Sequence, residues 1–315
     1  MLDSQTTAFV FPGQGSQIVG MGARLAQASA AARQTFESAD ELLGFSLSKL
    51  CFEGPQETLT NTVNAQPALY TAGTAALRAL HEALKTPFLP AFVAGHSLGE
   101  LTALTASGAL SFPDGLKLVR RRGEVMHEAG EKAPGGMAAL LGLDMEAAEE
   151  LCKQTREQTG GVVVVANDNC PGQVVIAGDE RTLEAALERA KEAGARRAIR
   201  LPVSIAAHSP LMASAAEAFH DAVEGTHFDR PHIPVIGNVH AEPLTDATAI
   251  RKELSAQLLS PVRWTDSVRW MRQAGVTTFI ELGSKDVLTG LLHRIDKDAQ
   301  GVAVETLEDI TALIG

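Results

Sequence analysis

The chain has 315 residues, 45% hydrophobic and 21% charged, an ordinary globular balance that excludes disorder and leaves room for one large or two modest domains. With 27 Lys and Arg against 38 Asp and Glu the formal net charge is −11, and two Trp and one Tyr accompany eleven Phe, so a nucleic-acid partner is not expected. Cys51, Cys152 and Cys170 lie far apart without a CxxC spacing, no basic n-region leads the chain and no apolar run nears the roughly 20 residues of a membrane helix; the expectation is a soluble, cytoplasmic protein with no disulfide, metal site or membrane partner.

Strand and helix signals alternate along the chain. Ala8-Phe9-Val10-Phe11 is a short apolar run ending at Pro12-Gly13, and Ala91-Phe92-Val93-Ala94 is another ending at Gly95; both predict buried parallel strands. Helical periodicity covers 18–29, 66–84, 98–107 and 113–129, the pattern of a helix-flanked parallel sheet, which strands near 233–238 and 277–281 would complete. The middle reads as strand 137–143, helix 145–157, strand 162–167, strand 173–178, helix 180–194 and strand 197–202. That order, βαββαβ, predicts a ferredoxin-like small subdomain over 130–203 inserted into a large α/β body of 1–129 and 204–315. A cleft between the two is a natural ligand site.

Gly95-His96-Ser97-Leu98-Gly99 matches GxSxG between a predicted strand and a predicted helix. In such an elbow the serine hydroxyl stands exposed above the sheet, and the following amide, from Leu98, points at developing negative charge. A serine that merely caps a helix is the plainer alternative. The hydroxyl needs a base. His127, His220 and His293 fall on helix-like segments and are weak candidates; His208, just after the small subdomain's last strand, lies where the chain recrosses the cleft, although a buried loop histidine would look the same.

On the helix 113–128, Arg122 has Leu118, Val119, Val125 and Met126 at i−4, i−3, i+3 and i+4, so it sits within the apolar stripe while Arg120 and Arg121 do not. An inward guanidinium calls for an anion, either a carboxylate of the chain or one on a substrate. The turn Gly13-Gln14-Gly15-Ser16-Gln17 lacks the order of nucleotide loops; its amides and Gln14 suit a second oxyanion donor.

Together these segments resemble the malonyl-CoA:acyl carrier protein transacylase family over essentially the whole chain. The resemblance rests on Phe11-Pro12-Gly13-Gln14-Gly15-Ser16-Gln17, Gln66-Pro67-Ala68-Leu69, Gly95-His96-Ser97-Leu98-Gly99-Glu100, Arg121-Arg122-Gly123 and Val165-Ala166-Asn167. It continues through Pro171 to Gly178, the stretch ending at His208, Gln257 to Trp264, Glu281-Leu282-Gly283 and Val287 to Leu291. It implies a hydrolase-like body with a ferredoxin-like insertion, Ser97 as the acylated nucleophile, and His208 as base and acid oriented by the main-chain carbonyl of Gln257. It further implies an oxyanion hole from Gln14 and the Leu98 amide, Arg122 on the malonyl carboxylate, and Gln66 and Asn167 along the pocket. Substrates would be malonyl-CoA and the phosphopantetheine thiol of an acyl carrier protein in fatty acid or polyketide synthesis, with no bound cofactor. Ala206-Ala207 before His208, Ser209-Pro210 after it and Ser284-Lys285-Asp286 depart from the family's usual wording, the first beside the acyl pocket. Rival readings are the malonyl-transferring subunit of a malonate decarboxylase, a thioesterase, and a degenerate carrier-binding module.

Overall fold

The computed structural model describes residues 2–315. Eleven strands are present among them: β1 (Thr7–Phe11), β2 (Phe92–Gly95), β3 (Gly135–Leu141), β4 (Val163–Cys170), β5 (Gln173–Asp179), β6 (Arg197–Arg200), β7 (Val235–Ile236), β8 (Pro243–Leu244), β9 (Val262–Arg263), β10 (Thr278–Leu282) and β11 (Gln300–Val304). They form a six-stranded sheet in the order β11-β10-β1-β2-β7-β8 and a five-stranded sheet in the order β6-β3-β5-β4-β9.

In the large sheet every neighbouring pair from β11 to β7 is parallel, and only the edge pair β7–β8 runs antiparallel. All five residues of β1 are buried, as expected where helices cover both faces of a parallel sheet. Its pairing with β2 runs from Ala8↔Phe92 to Phe11↔Gly95, so the two strands end side by side. That register sets the Gly13–Gln17 turn beside the elbow at Gly95–Gly99. A Cβ on Gly13 would lie 2.4 Å from the His96 carbonyl oxygen, which is how close the two loops come.

The four strands drawn from 135–200 lie in the ferredoxin-like order, fourth-first-third-second, with β3–β5, β3–β6 and β4–β5 all antiparallel. One feature departs from a self-contained insertion. β9, from residues 262–263, adds to the outer edge of β4 in parallel, with Asn167↔Val262 and Asp168↔Arg263, so the second sheet is finished by a strand from beyond residue 203. Two residues of pairing are too weak a pattern to see in sequence, but they cover the β4 edge and fix Asn167 against the large body.

Several boundaries move for local reasons. The helical run 18–29 shrinks to Ala23–Ala28 because Gly20 and Gly22 adopt φ of 100° and 75°. The helix expected over 180–194 ends at Ala190, and Gly194 at φ 101° turns the chain into β6. The Arg122 helix runs Phe112–Lys132, begun by Ser111, whose side chain accepts from the Asp114 N–H. Ser97 is followed by the helix Gly99–Ala106.

Candidate active site

The elbow needs its two glycines for space. A Cβ at Gly95 would lie 1.9 Å from the Gly99 carbonyl, and one at Gly99 would lie 2.1 Å from the Phe11 oxygen, so neither position admits a side chain. Between them Ser97 takes φ 50°, the strained left-handed conformation that lifts its hydroxyl above the sheet. His208 is held in the same region at φ 59°. Asn238, which follows β7 after one residue, clamps the turn: its Oδ1 accepts from the Ser97 N–H at 2.6 Å and its Nδ2 donates to the Gly95 carbonyl at 2.7 Å.

Ser97 Oγ lies 2.8 Å from His208 Nε2. On the other side of the ring, His208 Nδ1 lies 2.9 Å from the Gln257 carbonyl oxygen and 3.1 Å from that of Ser260. Two carbonyl acceptors require Nδ1 to carry the proton, which leaves the Nε2 lone pair facing the hydroxyl. Burial, followed by the positive charge of Arg122, pushes the His208 pKa down to about 3, so the imidazole is neutral near pH 7. His127, His220 and His293 are exposed.

Arg122 is buried at 1% exposure, whereas Arg120 and Arg121 on the outer side of the helix pair with Glu124. Its Nη1 donates to Gln66 Oε1 at 3.0 Å, and its Nη2 donates to Gln257 Oε1 at 2.8 Å and to Ser97 Oγ at 3.0 Å; its Nε meets no acceptor. All three partners are uncharged. Glu100 is the neighbouring acid that acts on it electrostatically, but that carboxyl bonds to Gln257 Nε2, and burial with the adjacent Glu253 pushes its pKa well up. Burial lowers the guanidinium to about 10, so it remains a cation without an anionic partner of its own.

A cavity of about 410 Å³ opens onto these groups. Gln14, Gly15, Ser97, Arg122 and His208 line it from the large body, and Met137, Asn167, Asn169 and Val175 from the second sheet. The cleft between the large body and the second sheet is therefore where the Ser97 hydroxyl stands. The Gln14 side chain donates to Thr62 Oγ1 at 3.0 Å, and neither the Gln14 nor the Leu98 main-chain N–H has a protein acceptor among the described residues. Gln66, expected along the pocket, is instead fully buried behind Arg122, with its Nε2 on Met126 Sδ at 3.2 Å; it touches the guanidinium rather than the cavity.

Four contributors carried no decisive sequence signal. Asn238, the Ser260 carbonyl and the Glu100 carboxyl act across 157 or fewer residues of separation through contacts that only the fold creates. His96 is the fourth, with Nε2 2.8 Å from Asn169 Oδ1 and its pKa lowered by burial. Asn238 ends a strand predicted near 233–238, and His96, Glu100 and Ser260 fall within segments that carry the family resemblance, but none of these signals says what the side chain or carbonyl meets.

A serine hydroxyl bonded to a neutral imidazole above the ends of parallel strands, with free amides alongside, is the arrangement of a serine acyl-transfer enzyme. The chain belongs to the acyl transferase domain family, whose sequence profile matches residues 8–308. It is 47% identical over 307 residues to the malonyl CoA-acyl carrier protein transacylase of Bacillus subtilis, covering 98% of this chain and 96% of that protein. The solved malonyl CoA-acyl carrier protein transacylase of Coxiella burnetii superposes with a TM-score of 0.95 at 40% identity, covering 99% of this chain and 97% of that one. A malonyl-transacylase solved in complex with a type II PKS acyl-carrier protein superposes at 0.94 with 41% identity, covering 98% of each chain.

Proposed function

We propose that this enzyme moves a malonyl group from malonyl-CoA to the phosphopantetheine thiol of an acyl carrier protein, in the cytoplasm, through a malonyl ester on Ser97. The observation that carries the reading is the buried Arg122 guanidinium, hydrogen-bonded to the nucleophile and without an anionic partner. A substrate bearing a free carboxylate beside its thioester answers that need, and the relatives named above share the whole chain's length.

The terminal carboxylate docks on Arg122. Ser97 Oγ attacks the thioester carbonyl as its proton passes to His208 Nε2, and the oxyanion is held by the Leu98 and Gln14 amides. The carbon–sulfur bond breaks, and the imidazolium returns its proton to the coenzyme A thiolate. In the second half the carrier thiol gives its proton to His208 and its sulfur attacks the ester; the proton then returns to Ser97 Oγ. One thioester replaces another, so the protein groups and two thiols balance the reaction without a redox or metal step.

Intact-mass measurement after exposure to malonyl-CoA tests the reading. The expected result is one added malonyl group, mapped to the peptide containing Ser97, and its removal on adding a holo acyl carrier protein. No adduct, or an adduct lost equally fast in buffer alone, overturns it, the latter in favour of a thioesterase.

The depressed His208 pKa also fixes a pH dependence. Protonation destroys the base, and the group resists protonation until the pH nears 3. The kcat/KM for acylation of the enzyme is therefore expected to stay level between about pH 5 and 8, where a free histidine would impose a limb near 6.5. A half-maximal rate near pH 6.5 would show that burial and Arg122 do not hold the ring neutral.

A further inference from the structure

Gln257 is the point where the active-site groups meet. Its main-chain oxygen takes the His208 ring, its Oε1 takes Arg122 Nη2, and its Nε2 donates to the Ser97 carbonyl at 3.1 Å and to Glu100 Oε2 at 2.5 Å. A carboxamide can turn over about its last torsion with almost no change of shape, exchanging donor for acceptor. Turned over here, it would set its NH2 against the guanidinium, donor against donor, and withdraw the acceptor that Arg122 Nη2 uses. The Ser97 carbonyl alone opposes that rotation weakly, because its contact is the longer of the two and belongs to the strained elbow.

Glu100 supplies the stronger restraint. It is fully buried in the first turn of the Gly99–Ala106 helix, three residues after the nucleophile, and none of the proposed chemical steps uses it. We propose that Glu100 is the positioning residue for acyl selection: its Oε2 holds the Gln257 carboxamide in one orientation and so aims the Arg122 guanidinium at the substrate's terminal carboxylate. The inference rests on the malonyl-transfer reading of the site. Glu100 Oε1 makes no hydrogen bond, which leaves it as the oxygen to carry the acid proton while Oε2 stays an acceptor for Gln257. Burial and the neighbouring Glu253 carboxyl favour that neutral form. A glutamine at position 100 reproduces it, with a carbonyl for Gln257 and an NH2 in place of the acid hydroxyl.

Acylation of the full-length enzyme by malonyl-CoA and by acetyl-CoA, in wild type, E100Q and E100M, separates this role from a merely structural one. E100Q is expected within about threefold of wild type for both donors, whereas E100M loses roughly 10- to 100-fold in kcat/KM for malonyl-CoA, mainly through KM, and changes little for acetyl-CoA. Equal losses for the two donors in E100M, no loss at all, or E100Q falling with E100M would each overturn the proposal. Should E100M not fold, E100D, one methylene too short to reach Gln257 Nε2, is expected to show the same split. A wild-type enzyme that takes no malonyl group defeats the functional reading and this inference together; a wild type that is malonylated, with variants that keep its selectivity, defeats this inference alone.

Discussion

Ser97→Ala and His208→Ala are each expected to lower malonyl transfer by on the order of 10⁴-fold or more, and the double variant to be little worse than either one. The reason is that the two side chains form one device. The hydroxyl is 2.8 Å from Nε2, and a neutral ring whose other nitrogen is committed to two carbonyl oxygens has no task except to take that proton. Without the imidazole, Ser97 is an ordinary alcohol and a poor nucleophile at neutral pH; without the hydroxyl, the base has nothing to activate. Rates of carrier malonylation at saturating malonyl-CoA measure the effect. Two losses that multiplied in the double variant would mean independent contributions and would contradict the shared hydrogen bond as the source of activity. Alanine keeps its Cβ at positive φ, so neither substitution relieves the backbone strain at these positions, and His208→Ala in addition gives up a buried ring with its two carbonyl contacts, so its thermal stability is expected to fall.

The ring's partners also explain why a carboxylate is not required. An acid beside Nδ1 would stabilise the imidazolium and raise its pKa, whereas the Gln257 and Ser260 carbonyls fix the tautomer and leave the ring weakly basic. A weak base suits a reaction in which the proton is passed on to a thiolate leaving group, because the cation formed on the ring gives it up readily.

How much of this could be read from the sequence depends on the range over which each signal acts. The elbow is local: a strand, two glycines that admit no side chain and a helix lie within a dozen residues, so Ser97 and the Leu98 amide were legible at once. Arg122 was legible because a cation inside a 3.6-residue apolar period has to be explained by burial, and it is buried. The ferredoxin-like strand order followed from the uninterrupted βαββαβ pattern. His208 was one option among several until the family resemblance singled it out, since a loop histidine has no periodicity to place it. Asn238, Ser260 and the two-residue β9 were beyond reach. Their effect comes from main-chain groups or short contacts between distant segments, and nothing in their own neighbourhoods shows what they pair with. Gln66 shows another limit: the resemblance set it along the pocket, but whether it faced the cavity or the core, where it meets Arg122, depended on Met126 lying behind it.

Arg122→Ala is expected to reduce kcat/KM for malonyl-CoA by roughly 10²-fold more than for acetyl-CoA, the equivalent of about 3 kcal/mol of discrimination. In the free enzyme the guanidinium is already out of water and held at both ends, by Gln66 on Nη1 and by Gln257 on Nη2, so binding a carboxylate costs little further ordering of the side chain. The desolvation that lowers its pKa to about 10 has been met in folding, and a carboxylate arriving beside it recovers part of that cost. Acetyl-CoA has no carboxylate and gains none of this, so removing the cation changes its reaction far less. Arg122→Lys discriminates between charge and geometry. An ammonium retains the charge but cannot donate to Gln66, Gln257 and Ser97 from one rigid plane, and is expected to recover only a minor part of the malonyl preference. Competition between the two donors, read by the mass of the acyl group left on Ser97, gives the ratio directly. A ratio unchanged in Arg122→Ala would mean that the cation serves only to hold Gln66, Gln257 and the nucleophile in place, and that selection of the acyl group lies elsewhere in the cavity.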